Sequence, residues 1–237
     1  MIRRNSASLI AWLAALAVML AFADSLSAQT PPSARDLKIY AGLHAAAARG
    51  DVAELERLVA AGERVNIQDS SSRTPLHVAV YLKHHAAARA LLRLGANPNA
   101  FDDQRYDILT IAAVNNDIEM LNIALEGGAN PRNVTTFTDE TALTTAAHLG
   151  HVEIVRILIA HKAPLDHVNA RGWTALHKAV VFGNGGPNHV ATVEALVKAG
   201  ADPDIKDRQG ATALTYARQR GYQDMIKILE PARGRKS

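Results

Sequence analysis

A chain of 237 residues with 48% apolar and 21% charged residues is long enough for one or two domains and apolar enough to build a core. The absence of cysteine excludes disulfides, thiolate metal sites, a cysteine nucleophile and a lipidated N-terminal cysteine. A net charge of +3 and a pI near 9.3 raise a nucleic-acid reading that the placement of the charges removes.

Residues 1–28 carry Arg3 and Arg4, then an uncharged run from Leu9 to Ala23 (LIAWLAALAVMLAFA), then small residues, the order of a secretory leader. Cleavage is expected after Ala28, with Ala23 as the other position. About 15 apolar residues fall short of the roughly 20 that span a bilayer, so an uncleaved anchor is the weaker reading. Without that leader's two arginines and one aspartate, 24 basic and 22 acidic residues remain. Arg233, Arg235 and Lys236 then sit in a short basic tail, 231–237, expected to be disordered, and the body before it has a net charge of minus one. No nucleic-acid partner is expected, and no stable membrane insertion once the leader is gone.

Residues 29–35 read as a linker, and an internal repeat organises the rest of the chain. Leu43, Leu76, Leu109, Leu143, Leu176 and Leu214 recur at spacings of 33, 33, 34, 33 and 38, the mark of a stacked-repeat architecture. Three residues after each leucine stands an alanine (Ala46, Ala79, Ala112, Ala146, Ala179, Ala217), as expected where a neighbouring helix approaches closely. Two residues before each stand Ala41, Thr74, Asp107, Thr141, Thr174 and Thr212. Five of these six can cap a helix, and Pro75 suits a first helical turn.

Each unit continues with a second amphipathic stretch, closed by Gly62, Gly95, Gly128 and Gly200, with Lys162 in the same slot of the fourth unit, where the helix end should be less well specified. Lys83 and Asn116 replace the glycine between helices. Asn116 can take a left-handed turn, whereas Lys83 should not. The fifth unit carries five extra residues, Asn184 to Asn188, read as a tolerated loop.

Thr74-Pro75-Leu76-His77, Thr174-Ala175-Leu176-His177, Gly150-His151-Val152-Glu153-Ile154-Val155 and Gly95-Ala96-Asn97-Pro98-Asn99-Ala100 resemble the motifs of ankyrin repeats over residues 36–230. The resemblance implies an all-α solenoid of about six helix-turn-helix units with projecting β-turn fingers, divided at 36–69, 70–102, 103–135, 136–169, 170–207 and 208–230. It implies protein binding through fingers and first helices, no shared catalysis and no cofactor. It also implies that His44, His77 and His177 hydrogen-bond the neighbouring finger, so that Thr74, His77, Thr174 and His177 are structural.

No catalytic constellation stands out. His148 and His151 are three apart but separated by Gly150, and His84 and His85 point apart on any helix, so no metal site is expected. The family's variable offsets fall on Arg73, Tyr81, Leu82, Tyr106, Val114, Asn115, Phe137, Glu140, His148, Leu149, Trp173, Val181, Phe182, Gln219 and Arg220. Five of the nine aromatic residues beyond the leader (Tyr81, Tyr106, Phe137, Trp173, Phe182) lie there. Large aromatics at positions expected to be exposed read as anchors for a protein partner. Trp173 and Tyr106 covering a neighbouring finger, with Val181 and Phe182 packing locally, is the other reading. The sequence thus leads to an exported, monomeric, non-enzymatic binding module of the periplasm.

Overall fold

In the computed structural model the described residues are 29–234. The leader assigned to residues 1–28 and the last three residues of the tail lie outside them. The chain divides into two units, Met1–Thr30 and Pro31–Ser237, and the helices belong to the second.

Helix α1 spans Ala34–Ile39. Six antiparallel pairs come after it: α2 (Gly42–Arg49) with α3 (Val52–Ala60), α4 (Pro75–Tyr81) with α5 (His85–Arg93), α6 (Ile108–Val114) with α7 (Ile118–Glu126), α8 (Ala142–Leu149) with α9 (Val152–Ala160), α10 (Ala175–Val181) with α11 (Pro187–Lys198), and α12 (Ala213–Arg220) with α13 (Gln223–Leu229). The first helices pack on one another along the stack, and so do the second helices. This is the all-α solenoid of helix pairs that the resemblance to ankyrin repeats implies. Among the described residues no helix is long and apolar enough to cross a membrane.

Helix starts follow from the residue two before each leucine. Thr74, Thr141, Thr174 and Thr212 each accept the N–H three residues on and donate their own N–H to that residue's side chain, and Asp107 accepts from Thr110 N. Each such cap contributes about 1 kcal/mol. Ala41 cannot cap. Glu63 instead extends its carboxylate to Leu43 N at 3.2 Å, satisfying one N–H of the otherwise uncapped end.

The alanine rule is met throughout. Ala46, Ala79, Ala112, Ala146, Ala179 and Ala217 are at most 1% exposed, and the key leucines lie in the same core, which runs from Leu43 to Leu229. A larger side chain at an alanine would force neighbouring first helices apart.

Two backbone expectations are corrected. Lys83 does take the left-handed conformation, at φ 59°, and Lys162 does so at φ 63°. The cause is the helix-closing pattern. Lys83 N and His84 N donate to Val80 O and Ala79 O, and Lys162 N and Ala163 N to Ile159 O and Leu158 O. Those paired bonds require positive φ at the residue between, whatever its side chain. The fourth unit's second helix therefore ends as sharply as its glycine-closed counterparts.

The fingers are built on one hydrogen-bonding residue seven before the leucine. Asp69, Asp102, Asn169 and Asp207 each accept two backbone N–H groups, two and four residues ahead. In the fourth repeat Thr136 holds this position, its hydroxyl accepting Thr138 N and Glu140 N at 3.3 and 3.4 Å. Thr135 pairs with Glu140 in an antiparallel bridge, and the extra residue that makes this spacing 34 rather than 33 lies between Asn130 and Thr136, ahead of Phe137.

The ends differ from the sequence expectations. The stretch read as a linker contains the start of α1, whose Ser33 and Asp36 form a reciprocal cap. The start of the tail is ordered: Glu230–Ala232 forms a 3₁₀ turn, and Arg233 Nε and Gly234 N both bond the Asp204 carboxylate, at 2.8 and 2.9 Å. In the fifth unit Pro187 and Asn188 of the insertion join α11, giving it 12 residues, and Tyr222 Oη donates to Gly183 O at 2.9 Å just ahead of the loop.

Candidate functional site

First helices and fingers line one side of the stack, and the histidines there serve the stack itself. Nε2 of His44, His77 and His177 donates to the carbonyls of Arg73, Tyr106 and Ala211 in the next finger, at 2.8, 3.3 and 3.2 Å. Nδ1 of His77 and His177 lies 2.9 and 3.0 Å from the capping threonine hydroxyl. Burial pushes both histidines below their usual pKa, so they stay neutral.

The expected exposure of the aromatic strip is corrected. Tyr81, Tyr106, Trp173 and Val181 are buried, as is Arg73. The polar tips of three aromatic residues reach the carboxylate at the base of the following finger: Tyr40 Oη to Asp69 at 2.6 Å, Tyr81 Oη to Asp102 at 2.8 Å and Trp173 Nε1 to Asp207 at 3.1 Å. An amphipathic aromatic buried at a repeat junction needs such a partner, and the finger base supplies it. Burial pushes the Tyr106 hydroxyl up to about 12. Burial opposes ionisation of Asp69, but hydrogen bonds from Tyr40 and Arg73 outweigh it and hold the carboxyl below its ordinary value. Arg73 joins Asp69 and Asp36 at 2.8 and 2.9 Å, tying α1 to the second repeat. Trp173 therefore covers the neighbouring finger, as the local-packing reading holds, and the same role extends to Tyr81.

What remains accessible is concentrated at the fourth and fifth repeats. Phe137 at the fingertip is 71% exposed. Phe182, His148 and Leu149 are half-buried, as are Leu82, Val114 and Asn115 on the neighbouring repeats, and Gln219 and Arg220 are exposed. The His148 ring stacks on Phe182 with centroids 3.8 Å apart, and Trp173 meets Phe182 edge-on at 5.7 Å. Lys178 Nζ lies 5.0 Å from the centre of the Phe182 ring, within cation–π range, and pairs with Glu140 at 2.8 Å, both side chains being under 10% exposed. Asn169 Nδ2 donates to Glu140 Oε1 at 2.7 Å.

Among the described residues Glu140 Oε2, Thr145 Oγ1 and His148 Nδ1 are buried and make no hydrogen bond. Buried polar atoms are nearly always paired, so each is a local cost of the fold. Burial, with the charge of Lys178 adding to it, lowers His148 to a pKa of about 3, so the ring is neutral near pH 7. The arrangement presents the half-buried His148 and Phe182 rings over a buried polar network and holds nothing resembling a nucleophile–base pair. His148 and His151 do not act together. His151 Nε2 instead donates to Val114 O at 3.3 Å, and among the described residues no three His, Asp or Glu side chains gather as a metal site.

Sequence reasoning named Phe137, Glu140, His148 and Phe182 but missed Lys178, Thr145 and Asn169. The available signal was a lysine inside the apolar run ALHKAVV, where a charge is buried only against a partner.

Comparison with known proteins agrees with this architecture. Models of ankyrin repeats match residues 13–102, 109–207 and 187–230. A putative ankyrin repeat protein of Escherichia coli (strain K12), YahD, is 32% identical over 185 residues, covering 78% of this chain and 92% of that protein. The crystal structure of an ankyrin repeat domain from Acinetobacter baumannii is similar with a TM-score of 0.77 at 37% identity, covering 80% of this chain and 96% of that one. A chain in the complex of a predatory endopeptidase with an immunity protein from Bdellovibrio bacteriovorus is similar with a TM-score of 0.68 at 26% identity, covering 81% and 98%. Six helix pairs, finger-directed histidines and matches spanning most of the length together make this chain a member of the ankyrin-repeat family.

Proposed function

We propose that this chain is exported to the periplasm, loses residues 1–28, and as a monomer binds one partner protein there without catalysis of its own, restraining or protecting an exported hydrolase in the manner of an inhibitor or immunity protein. The observation that carries the reading is the accessible apolar surface of Phe137, His148, Leu149 and Phe182 on adjacent repeats, with the His148 and Phe182 rings stacked over the buried Lys178–Glu140 pair. Phe137, Phe182, His148 and Leu149 are the contact residues of this proposal, with Leu82 and Val114 flanking them. Arg73, Tyr81, Tyr106, Trp173 and Val181 hold the surface in shape from beneath. The leader pattern of residues 1–28 supports the compartment, and the likeness to a chain of the endopeptidase–immunity complex supports the kind of partner.

The test is to express the gene in full with a C-terminal tag, recover the chain from the periplasmic fraction, weigh it intact and identify what copurifies. A mass lacking residues 1–28 and a hydrolase whose activity falls to its floor at one equivalent of added chain are expected. Retention of the leader overturns the proposed processing, and a copurifying hydrolase indifferent to added chain overturns the inhibitor reading.

A further inference from the structure

Between each second helix and the following finger, one residue ties adjacent repeats together. Asn66 Nδ2 donates to Gly95 O at 3.3 Å while its Oδ1 accepts from Asn97 N at 2.8 Å. Asn99 makes the same two bonds one repeat on, to Gly128 O at 3.1 Å and from Asn130 N at 2.8 Å. Asp166 keeps the second bond, accepting from Asp202 N at 2.7 Å.

At the junction of the third and fourth repeats this rung is broken. Lys162 stands where the ladder has glycine, and Pro164, which has no N–H, stands where it has Asn97 and Asn130. The asparagine at the ladder's spacing, Asn133, turns its amide back to Asn99 and Asp107, leaving the preceding Arg132 beside the gap. The exchange is costly locally, since Lys162 is held at φ 63°, a left-handed conformation that residues other than glycine disfavour. Backbone cost of this kind persists where the surroundings enforce it and is often found at functional positions.

Arg132, Lys162 and Pro164 border a notch of about 430 Å³, whose other walls are Ile159, Ala163, Leu165 and Ala199. Arg132 and Lys162 are both exposed, and neither side chain forms an ion pair or hydrogen bond among the described residues. The nearest acidic residues on the same loops are engaged with backbone: Asp166 with Asp202 N and Asp202 with Asp204 N. Two uncommitted cations thus face an aliphatic wall in a space the size of one or two side chains.

We propose that this notch receives an acidic residue of a partner protein together with the aliphatic residue beside it, the carboxylate between Arg132 and Lys162 and the aliphatic chain against Ile159 and Leu165. It rests on the proposed function only in taking the occupant to be protein. Arginine and lysine supply the donors a carboxylate needs, and the absence of the asparagine rung leaves them free to do so.

The test follows backbone amide NMR shifts of the chain as recovered from the periplasm while the peptide N-acetyl-Glu-Leu-amide is added, with N-acetyl-Gln-Leu-amide as the uncharged counterpart. Saturable shifts confined to Arg132 and its neighbours, Ile159–Leu165 and Ala199 are expected with the Glu peptide, with at least tenfold weaker binding of the Gln peptide. The Arg132→Asn/Lys162→Gly variant should bind at least tenfold more weakly and melt at a higher temperature, because it relieves the left-handed lysine. Loss of binding in this variant therefore cannot come from unfolding. Equal binding of the two peptides, unchanged binding by the variant, or no saturable shift overturns the proposal. Peptide binding without any copurifying hydrolase would count against the proposed function alone, and the converse result against the notch alone.

Discussion

Trp173 Nε1 and Asp207 Oδ2 lie 3.1 Å apart, joining the fifth finger to the sixth through an indole that is only 3% exposed. Tyr216 Oη bonds the same oxygen from the first helix of the sixth repeat, so one carboxylate ties two aromatic residues across the last junction. Trp173→Phe keeps much of the ring and removes the donor, and it should destabilise the chain by about 1–2 kcal/mol. Trp173→Ala should cost about 3–5 kcal/mol through the cavity it leaves. Urea denaturation followed by circular dichroism measures both, and equal losses for the two variants would refute a separate role for the indole N–H.

The Lys178–Glu140 pair is almost wholly buried, so its two members depend on each other. Lys178→Met alone should cost about 3–5 kcal/mol because it strands the Glu140 carboxylate, whereas Lys178→Met with Glu140→Gln should cost clearly less. A double-mutant cycle in urea reads the difference. Simple additivity would mean that the pair is not coupled.

Stability should fall as the pH drops below about 6.5. Burial lowers His77, His148, His151 and His177 in the folded chain, to about 3 for His148. Their unfolded counterparts take up protons near pH 6.5, so the unfolded state binds more protons as the pH falls and gains on the folded one. The stabilisation is complete above pH 6.5 and is lost progressively toward the folded pKa. Melting temperatures at pH 7.5, 6 and 5 check this, and His148→Gln should flatten the curve. A melting temperature that rises over this interval would contradict it.

Lys83→Gly should stabilise the chain by about 0.5–1 kcal/mol, since Lys83 occupies a left-handed position at φ 59° that glycine adopts freely. Thermal melts of the variant decide it, and a loss of stability would show that the lysine side chain contributes more than its backbone costs.

How much of this was legible in the sequence depends on how far apart the interacting residues lie. The caps at Thr74, Asp107, Thr141, Thr174 and Thr212 act over three residues, and each reads directly from its neighbours. The small-residue rule at Ala46 and its five equivalents reads from periodicity. Exposure of the aromatics did not read, because Tyr81 turns inward to Asp102, 21 residues away, and Trp173 to Asp207, 34 residues away. Both pairs cross from one repeat to the next, and a pattern of offsets within one repeat carries no record of them. Lys178 escaped for the same reason, as its partner Glu140 belongs to the previous finger. The Lys83 turn was missed because local propensity disfavours what the paired helix-closing bonds impose.

The most direct test of the binding surface compares the tagged chain with its Phe137→Ala/Phe182→Ala variant in capture from periplasmic extract, with helicity checked by circular dichroism. At least a tenfold loss of the captured partner with helicity unchanged, equivalent to about 1.4 kcal/mol or more of binding energy, is the predicted result. Undiminished capture by a folded double variant would place the partner on another face and contradict the account.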